Sequence, residues 1–305
     1  MDNFALKYPF TEEAKAVISE AVLNNRIIEM GVTRIKRALE GKPSGRIVYN
    51  EAEIKEEIAS YAAARMILGA LGNQFITGRF AVNESKMVRS HLNKENQETT
   101  GRIASHFGIE TKDNLLDIPT YLKYCPKSTP YRLINRKIMN GYVEIKSTEK
   151  LRLIEEAVRK HMEDIPRVKD PPDEIKKAGE KLLLELPKHQ TKITVKEGDH
   201  PPCIMKLFES VKKHENLPHT ARWYLATYLL GIGMNDDEIN GIYSGLPDYS
   251  EKITRYQIAH AKKKGYKVPS CSTIMSYGLC CAVCRIGNPL KWHTISDSRK
   301  EGIKK

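Results

Sequence analysis

The chain has 305 residues, with 50 Lys and Arg against 38 Asp and Glu and a formal charge of +12. No apolar run approaches the roughly 18 residues of a membrane span, and the start MDNFALKYPFTEEAKAV has an early acid and no apolar block of signal-peptide type. The length allows one large core or two ordinary ones, the positive balance favours a polyanionic partner, and clustered cysteines in a cytosolic chain read as a metal site before a disulfide scaffold.

Helical signals fill the first ninety residues. Thr11, after Pro9-Phe10, is placed to cap a helix whose first turn holds Glu12 and Glu13, and apolar residues recur through Val17, Ile18, Ala21 and Val22. The first forty residues therefore read as helical, up to the break GKPSG at Gly41 to Gly45. Asn50 with Glu53 makes a capping box for EAEIKEEIASYAAARMILGAL, whose alanine-rich side lets another helix approach closely. Asn73 to Asn93 is helical again, and its Arg79, Lys86 and Arg89 could face a partner, with a solvated helix face the default reading.

From Leu115 the texture becomes helix, turn, helix, a short alternating strand at Tyr142 to Ile145, then helix. Asn140-Gly141 is a strong turn signal, so a small strand pair beside a helical body is expected. Cys125 reads as a simple core or surface thiol. Six prolines between Pro166 and Pro202 surround one amphipathic helix, Asp173 to Leu186, which Pro187 ends. This composition marks a boundary. The reading is a mainly α chain: a helical domain with a small β element over residues 1–187, a linker at 188–198, and a predominantly helical domain over 199–305.

In the second domain, CIMKLFESVKKH reads as one helix and LPHTARWYLATYLLGIG as a mostly apolar, hence central, second. Asn235 starts a third, where Asp236, Asp237 and Glu238 favour the positive end of the helix dipole and are not a catalytic carboxylate cluster. In EKITRYQIAHAKKKGYKVPSC, Arg255, His260, Lys262, Lys263, Lys264 and Lys267 mix with Tyr256 and Tyr266. Lysine and arginine neutralise phosphates while rings stack on bases, so Arg255, Tyr256, Lys263 and Lys264 are candidate contacts to a single-stranded template. The competing reading is an ordinary solvated face.

The stretch PSCSTIMSYGLCCAVCRIGNPLKW carries Cys271, Cys280, Cys281 and Cys284, and a fifth cysteine, Cys203, follows GDHPP. Thiolates are soft ligands, and four around one centre hold tetrahedral zinc or an iron–sulfur cubane. The best four are Cys203, Cys271, Cys280 and Cys284, spaced C-x67-C-x8-C-x3-C, with Cys281 the alternative third ligand. A zinc ribbon usually shows two CxxC knuckles, and only Cys281 with Cys284 makes one. The compact ferredoxin run is absent too. Spacing alone leaves zinc and a 4Fe–4S cluster equally open.

The blocks PPCIMKLF, LPHTARWYLATYLLGIGMNDDEI, DYSEKITRYQIAH, YKVPSCSTIMSYGLC and GNPLKW, with ASYAAARMILGALGNQFITGRFAVNESK and YRLINRKIMNGYVEI before them, resemble the large, non-catalytic subunit of archaeal and eukaryotic DNA primase. The resemblance implies a 4Fe–4S cluster on Cys203, Cys271, Cys280 and Cys284. It implies a helical N-terminal domain that holds the catalytic small subunit, and a C-terminal domain needed to begin primers. In LPHTAR, His219 and Arg222 match residues that contact the phosphates of the initiating nucleotide or primer 5′ end, and Tyr256 matches a tyrosine near template and cluster. The chain departs from the family in a shorter gap between its last two cysteines, and in Thr254 where the eukaryotic pattern has a second tyrosine.

Nucleotide polymerisation needs two divalent metal ions held by carboxylates, and no strand-borne acidic pair flanked by phosphate ligands stands out. Nor does a Walker loop, dinucleotide fingerprint or nucleophile elbow. The expectation is an accessory subunit working with DNA, primer and nucleoside triphosphates in the cytoplasm of an archaeal cell. Its rivals are an independent iron–sulfur DNA-processing enzyme and a zinc-stabilised nucleic-acid-binding adaptor.

Overall fold

Asparagines start four helices in the first half of the chain. The computed structural model describes residues 4–185 and 199–304, which divide into two compact units. The expected linker at 188–198 lies outside the described residues. The first unit runs α1 (Phe4–Lys7), α2 (Glu12–Glu20), α3 (Asn25–Leu39), α4 (Glu51–Leu71), α5 (Gln74–Leu92), α6 (Gln97–His106), α7 (Ile118–Tyr124), α8 (Ser147–Glu163) and α9 (Asp173–Glu185). Asn24, Asn50, Asn73 and Asn96 each accept a backbone N–H three residues on, satisfying a donor that the helix itself cannot.

Two N-terminal expectations need correcting. Thr11 does precede α2, but its hydroxyl donates to the Tyr8 carbonyl and caps nothing. The first forty residues are helical as expected, but the apolar recurrence from Val17 does not run on through Val22 in one helix. Asn24 caps a new helix, so α2 stops at Glu20 and Val22 is left 79% exposed. The Asn50 cap is as expected, while Glu53 reaches the Tyr49 amide instead of Asn50 itself.

The helix pairs α3–α4 and α5–α8 form the body, with α9 laid on α4. The alanine side of α4 receives α3 through Gly31, where a Cβ would come within 2.9 Å of the Ala64 nitrogen and 3.0 Å of the Ala63 Cβ. At this crossing sits a buried ion network that sequence pattern did not reveal. Arg34 forks onto both oxygens of Glu84 at 3.0 and 2.9 Å and reaches Glu57 at 3.0 Å. Burial opposes the Arg34 charge, but the two carboxylates outweigh it and raise its pKa. Ser44 donates to Glu84 and Arg46 pairs with Glu56 and Glu57, so the GKPSG break is pinned to the core.

Arg79 and Arg89 are not merely solvated: Arg79 donates to the Leu39 carbonyl, and Arg89 pairs with Glu155 on α8 at 2.6 Å. The β element has three antiparallel strands where two were expected: β1 (Leu115–Asp117), β2 (Ile138–Met139) and β3 (Tyr142–Glu144), in the order β1-β3-β2. Asn140 and Gly141 both take positive φ, 47° and 84°, as a tight two-residue hairpin needs. Val143 faces the core at 0% exposure and pairs with Leu116 of β1 and Ile138 of β2.

The second unit contains α10 (Pro202–Lys212), α11 (His219–Gly231), α12 (Asp236–Tyr243), α13 (Glu251–Lys263), α14 (Cys271–Ser276) and α15 (Asp297–Lys304). Helix α11 is central, with Leu225, Tyr228 and Leu229 fully buried and α10, α12 and α13 packed on it. Asn235 and Glu238 form a reciprocal capping box, so the acids at 236–238 serve the helix start. The described chain is thus mainly α. No helix among the described residues is long and apolar enough to cross a membrane.

Candidate metal centre and basic face

Two segments far apart in sequence bring the thiols together. Cys203 is the second residue of α10, just after the Pro201-Pro202 entry, and its sulfur lies 3.1 Å from the Tyr224 hydroxyl of α11. Cys271 opens α14, which Ser270 caps, and its amide donates to the Gly287 carbonyl at 2.9 Å. That bond, with Asn288 on the Val268 carbonyl, closes the base of the cysteine loop. Inside the loop, Gly278, Arg285 and Gly287 take positive φ. The sulfurs of Cys280 and Cys284 converge on one carbonyl, that of Ala282, at 3.3 and 3.8 Å.

The five thiols form one electrostatic neighbourhood. Burial pushes Cys203 up to about 11; the Tyr224 hydrogen bond works against this, and Cys281, Cys280 and Cys284 push further in the same direction. Burial and then Cys280 raise Cys271. Cys281 is also raised by burial, with Lys206 acting against it, yet its residue is exposed while Cys280 packs against the core. In donor chemistry the set suits a soft metal or an iron–sulfur group. In this arrangement, though, no three Cys, His, Asp or Glu side chains among the described residues stand close enough to hold a metal ion.

A chain of rings leads to the same loop. Tyr256 stacks on His260 at 6.0 Å, His260 meets Tyr266 edge-on at 5.9 Å, Tyr266 meets Trp223 at 6.1 Å, and Trp223 meets Tyr277 at 6.5 Å. Tyr256 is 68% exposed, so its ring is open to a base. Trp223 lies in an apolar block and Tyr277 in the cysteine block, and nothing in the spacing of either marks a chain of rings.

The expected basic contacts differ among themselves. Lys263 and Lys264 are exposed and make no ion pair with the described residues. Arg255 is held by Glu251 at 2.8 Å and Asp237 at 2.7 Å, and these hydrogen bonds raise its pKa. Lys262 pairs with Asp236 at 3.2 Å.

His219 is the exposed first residue of α11, whose start has no side-chain cap because Pro218 occupies the N-cap. Arg222, one turn on, is half-buried and turned toward the protein. Its Nε donates to the Leu217 carbonyl at 2.8 Å, and its Nη2 meets Asn216 at 2.5 Å and both oxygens of Asp248 at 2.6 and 2.8 Å. The two residues share an end of α11, yet only His219 is fully presented to solvent.

Residues 193–300 match the family model described as the C-terminal domain of the eukaryotic and archaeal DNA primase large subunit. The whole chain is similar to proteins named DNA primase large subunit PriL. That of Methanosarcina mazei is 32% identical, over 94% of this chain and 86% of its own length. That of Methanococcoides burtonii is 31% identical over 96% and 92%, and that of Archaeoglobus fulgidus 32% over 78% and 68%.

Proposed function

From the chain's membership of the eukaryotic and archaeal DNA primase large-subunit family, we propose a division of labour between its two units. The first unit docks a smaller catalytic subunit, and the second engages single-stranded template, the initiating nucleoside triphosphate and the 5′ phosphates of the primer. The chain is an accessory subunit without a polymerase centre of its own, acting on replicating DNA in the cytoplasm.

Cys203, Cys271, Cys280 and Cys284 are the proposed ligands of a 4Fe–4S cluster. When bound, such a group supplies folding free energy by tying residue 203 to the loop at 271–284. Cys280 is preferred to Cys281 because its sulfur shares the Ala282 carbonyl with Cys284, while Cys281 is exposed. Lys263 and Lys264 supply charge to the template backbone, Tyr256 supplies a stacking face, and Arg255 contributes after loosening from its acids. His219 and Arg222 hold the triphosphate of the first nucleotide at the uncapped start of α11, where backbone N–H groups and the helix dipole also favour an anion. Holding that nucleotide while the catalytic subunit presents the second turns a rare encounter into a positioned one.

The observation that carries this reading is convergence: thiols from residue 203 and from 271–284 share one neighbourhood, and a chain of rings that begins at exposed Tyr256 ends in that same loop at Tyr277. The test is a two-step assay on the full chain copurified with its catalytic partner. His219→Ala should depress first-dinucleotide synthesis strongly while elongation of a supplied 5′-hydroxyl primer changes little. Equal losses in both steps would overturn the phosphate role, and iron with sulfide in the purified protein, against zinc alone, decides the cofactor.

A further inference from the structure

We infer that Asp248 is a positioning residue: it grips Arg222 through Nη2 and leaves Nη1 as the arginine's single open donor group for a phosphate. This rests on the proposed phosphate role of Arg222 and adds the residue that makes it workable. On its face, the geometry argues against a clamp, because the guanidinium already serves the protein. Counting hydrogens resolves the conflict. The single hydrogen on Nε goes to the Leu217 carbonyl. The two on Nη2 face three acceptors, Asn216 Oδ1, Asp248 Oδ1 and Asp248 Oδ2. Nη1, with two hydrogens, has no partner among the described residues.

The grip is itself built in. Asp248 lies in the turn between α12 and α13, and the Tyr243 hydroxyl at the end of α12 donates to the Arg222 carbonyl at 2.6 Å. Within that turn the Tyr249 amide donates to Leu246 at 3.2 Å, and the Tyr249 hydroxyl reaches Asn240 at 3.1 Å. The arginine and aspartate side chains are equally accessible, each at 22%. A free arginine loses considerable rotamer entropy when it binds; one fixed beforehand does not lose it again at the ligand.

The opposite role, in which Asp248 competes with the phosphate, would have the carboxylate lie across the two terminal nitrogens. Here both of its oxygens sit on Nη2, and the observed bonds favour positioning.

The two roles part on one substitution. Asp248→Asn keeps an acceptor for Nη2 and removes the charge. In the complex with the catalytic subunit, ATP and GTP serve as initiating probes and a 5′-hydroxyl primer as control. Loss of a charged hydrogen bond corresponds to about a tenfold change. The KM for the initiating nucleotide, relative to that for the control primer, should therefore rise about tenfold in Asp248→Ala, and Asp248→Asn should restore most of it. Asn216→Ala, which removes one acceptor and leaves the ion pair, should give a smaller rise in the same direction and serves if Asp248→Ala folds poorly. Tighter nucleotide binding in Asp248→Asn would overturn positioning in favour of competition. An unchanged ratio in Asp248→Ala and Asn216→Ala, with a raised one in Arg222→Ala, would overturn it while sparing the phosphate reading. An unchanged ratio in Arg222→Ala would overturn that reading and this inference with it.

Discussion

The two units treat their buried polar groups in opposite ways. In the first, a buried cation, Arg34, is matched by Glu84 and Glu57 from two neighbouring helices, and the carboxylates in turn hold Ser44 and Arg46. Every member of that network comes from the unit itself. In the second, burial and then the neighbouring thiols hold the buried Cys203 protonated, against the hydrogen bond from Tyr224. The first unit closes its own electrostatics, whereas the second gathers soft donors that gain most from an added electropositive group. Self-sufficiency in one unit, and the proposed dependence of the other on a bound group, is the difference the following experiments probe.

The largest effect is expected where the dependence is greatest. Under the proposed ligation, Cys203→Ser should remove the bound metal and lower the second unit's melting transition by more than about 10 °C, since metal binding to such a site is folding free energy. Calorimetry of the full chain should show the first unit's transition in place. Full iron content with an unmoved second transition would strike Cys203 from the ligands. Cys280→Ser and Cys281→Ser, compared in the same way, identify the third ligand.

Next comes a break inside the first unit. Arg34→Met leaves two carboxylates buried without their cation and should destabilise this unit by about 3–5 kcal/mol. Adding Glu57→Gln and Glu84→Gln to Arg34→Met should recover most of the loss, because the penalty lies in stranded charge and not in missing attraction. Denaturant unfolding followed by circular dichroism measures both; a triple variant as weak as the single one would show that packing, not charge, sets the cost.

The residues that made the fold legible are those whose meaning is local. Asn50, Asn73 and Asn235 cap helices wherever they stand, and Asn140-Gly141 makes its hairpin from two residues alone. Strand β1 escaped because Leu115–Asp117 is three residues long and is a strand only through its partner β3. Arg79 and Arg89 read as ordinary helix-surface charges, since their acceptors lie 40 and 66 residues away, and nothing in the pattern marks Arg34, whose partner Glu84 lies 50 residues on. The same limit applies at the site. The cysteines and the basic run could be picked out, but the grip of Asp248 on Arg222 joins α11 to a turn 26 residues on and leaves no trace in spacing.

Acid sharpens the comparison from the side of the first unit. Burial, helped by Arg65, His106 and Lys15 and opposed by Asp164, lowers His161 to about 4, and burial also lowers His91 and His106. A histidine depressed in the folded state leaves stability intact above its unfolded pKa of about 6.5 and removes it as pH falls from there toward 4, because only the unfolded chain takes up the proton. His161 should carry the largest share of this loss, about 1 kcal/mol by pH 5 once solvent screening at its partly exposed ring is allowed for. Glu57, raised by burial, gives part of this back on protonation. His161 packs among Phe10 and Phe107, so His161→Phe should flatten the fall between pH 7 and pH 5. An equal slope in that variant would move the acid sensitivity elsewhere.

The smallest effect concerns no stability at all, but it tests whether the second unit's surface is as open as its interior is dependent. A lysine contributes to the salt dependence of single-strand binding by releasing counterions from the phosphates it neutralises, about 0.7 in the logarithmic slope for each phosphate. Lys263 and Lys264 carry no ion pair with the described residues and should contribute that full amount. Lys262 already faces Asp236, and Arg255 faces Glu251 and Asp237, so their charge is partly used before any phosphate arrives. Anisotropy of a labelled thymidine oligonucleotide, titrated over a range of potassium chloride, should give Lys263→Ala and Lys264→Ala slopes shallower by about 0.7 each, and smaller changes for Lys262→Ala and Arg255→Ala. Such lysine variants should melt like the parent, since exposed charges contribute little to folding. Four equal slope changes would mean that the acids of α12 and α13 step aside for the template. The surface would then be as self-neutralised at rest as the Arg34 network is, and the contrast between the units would hold only for their interiors.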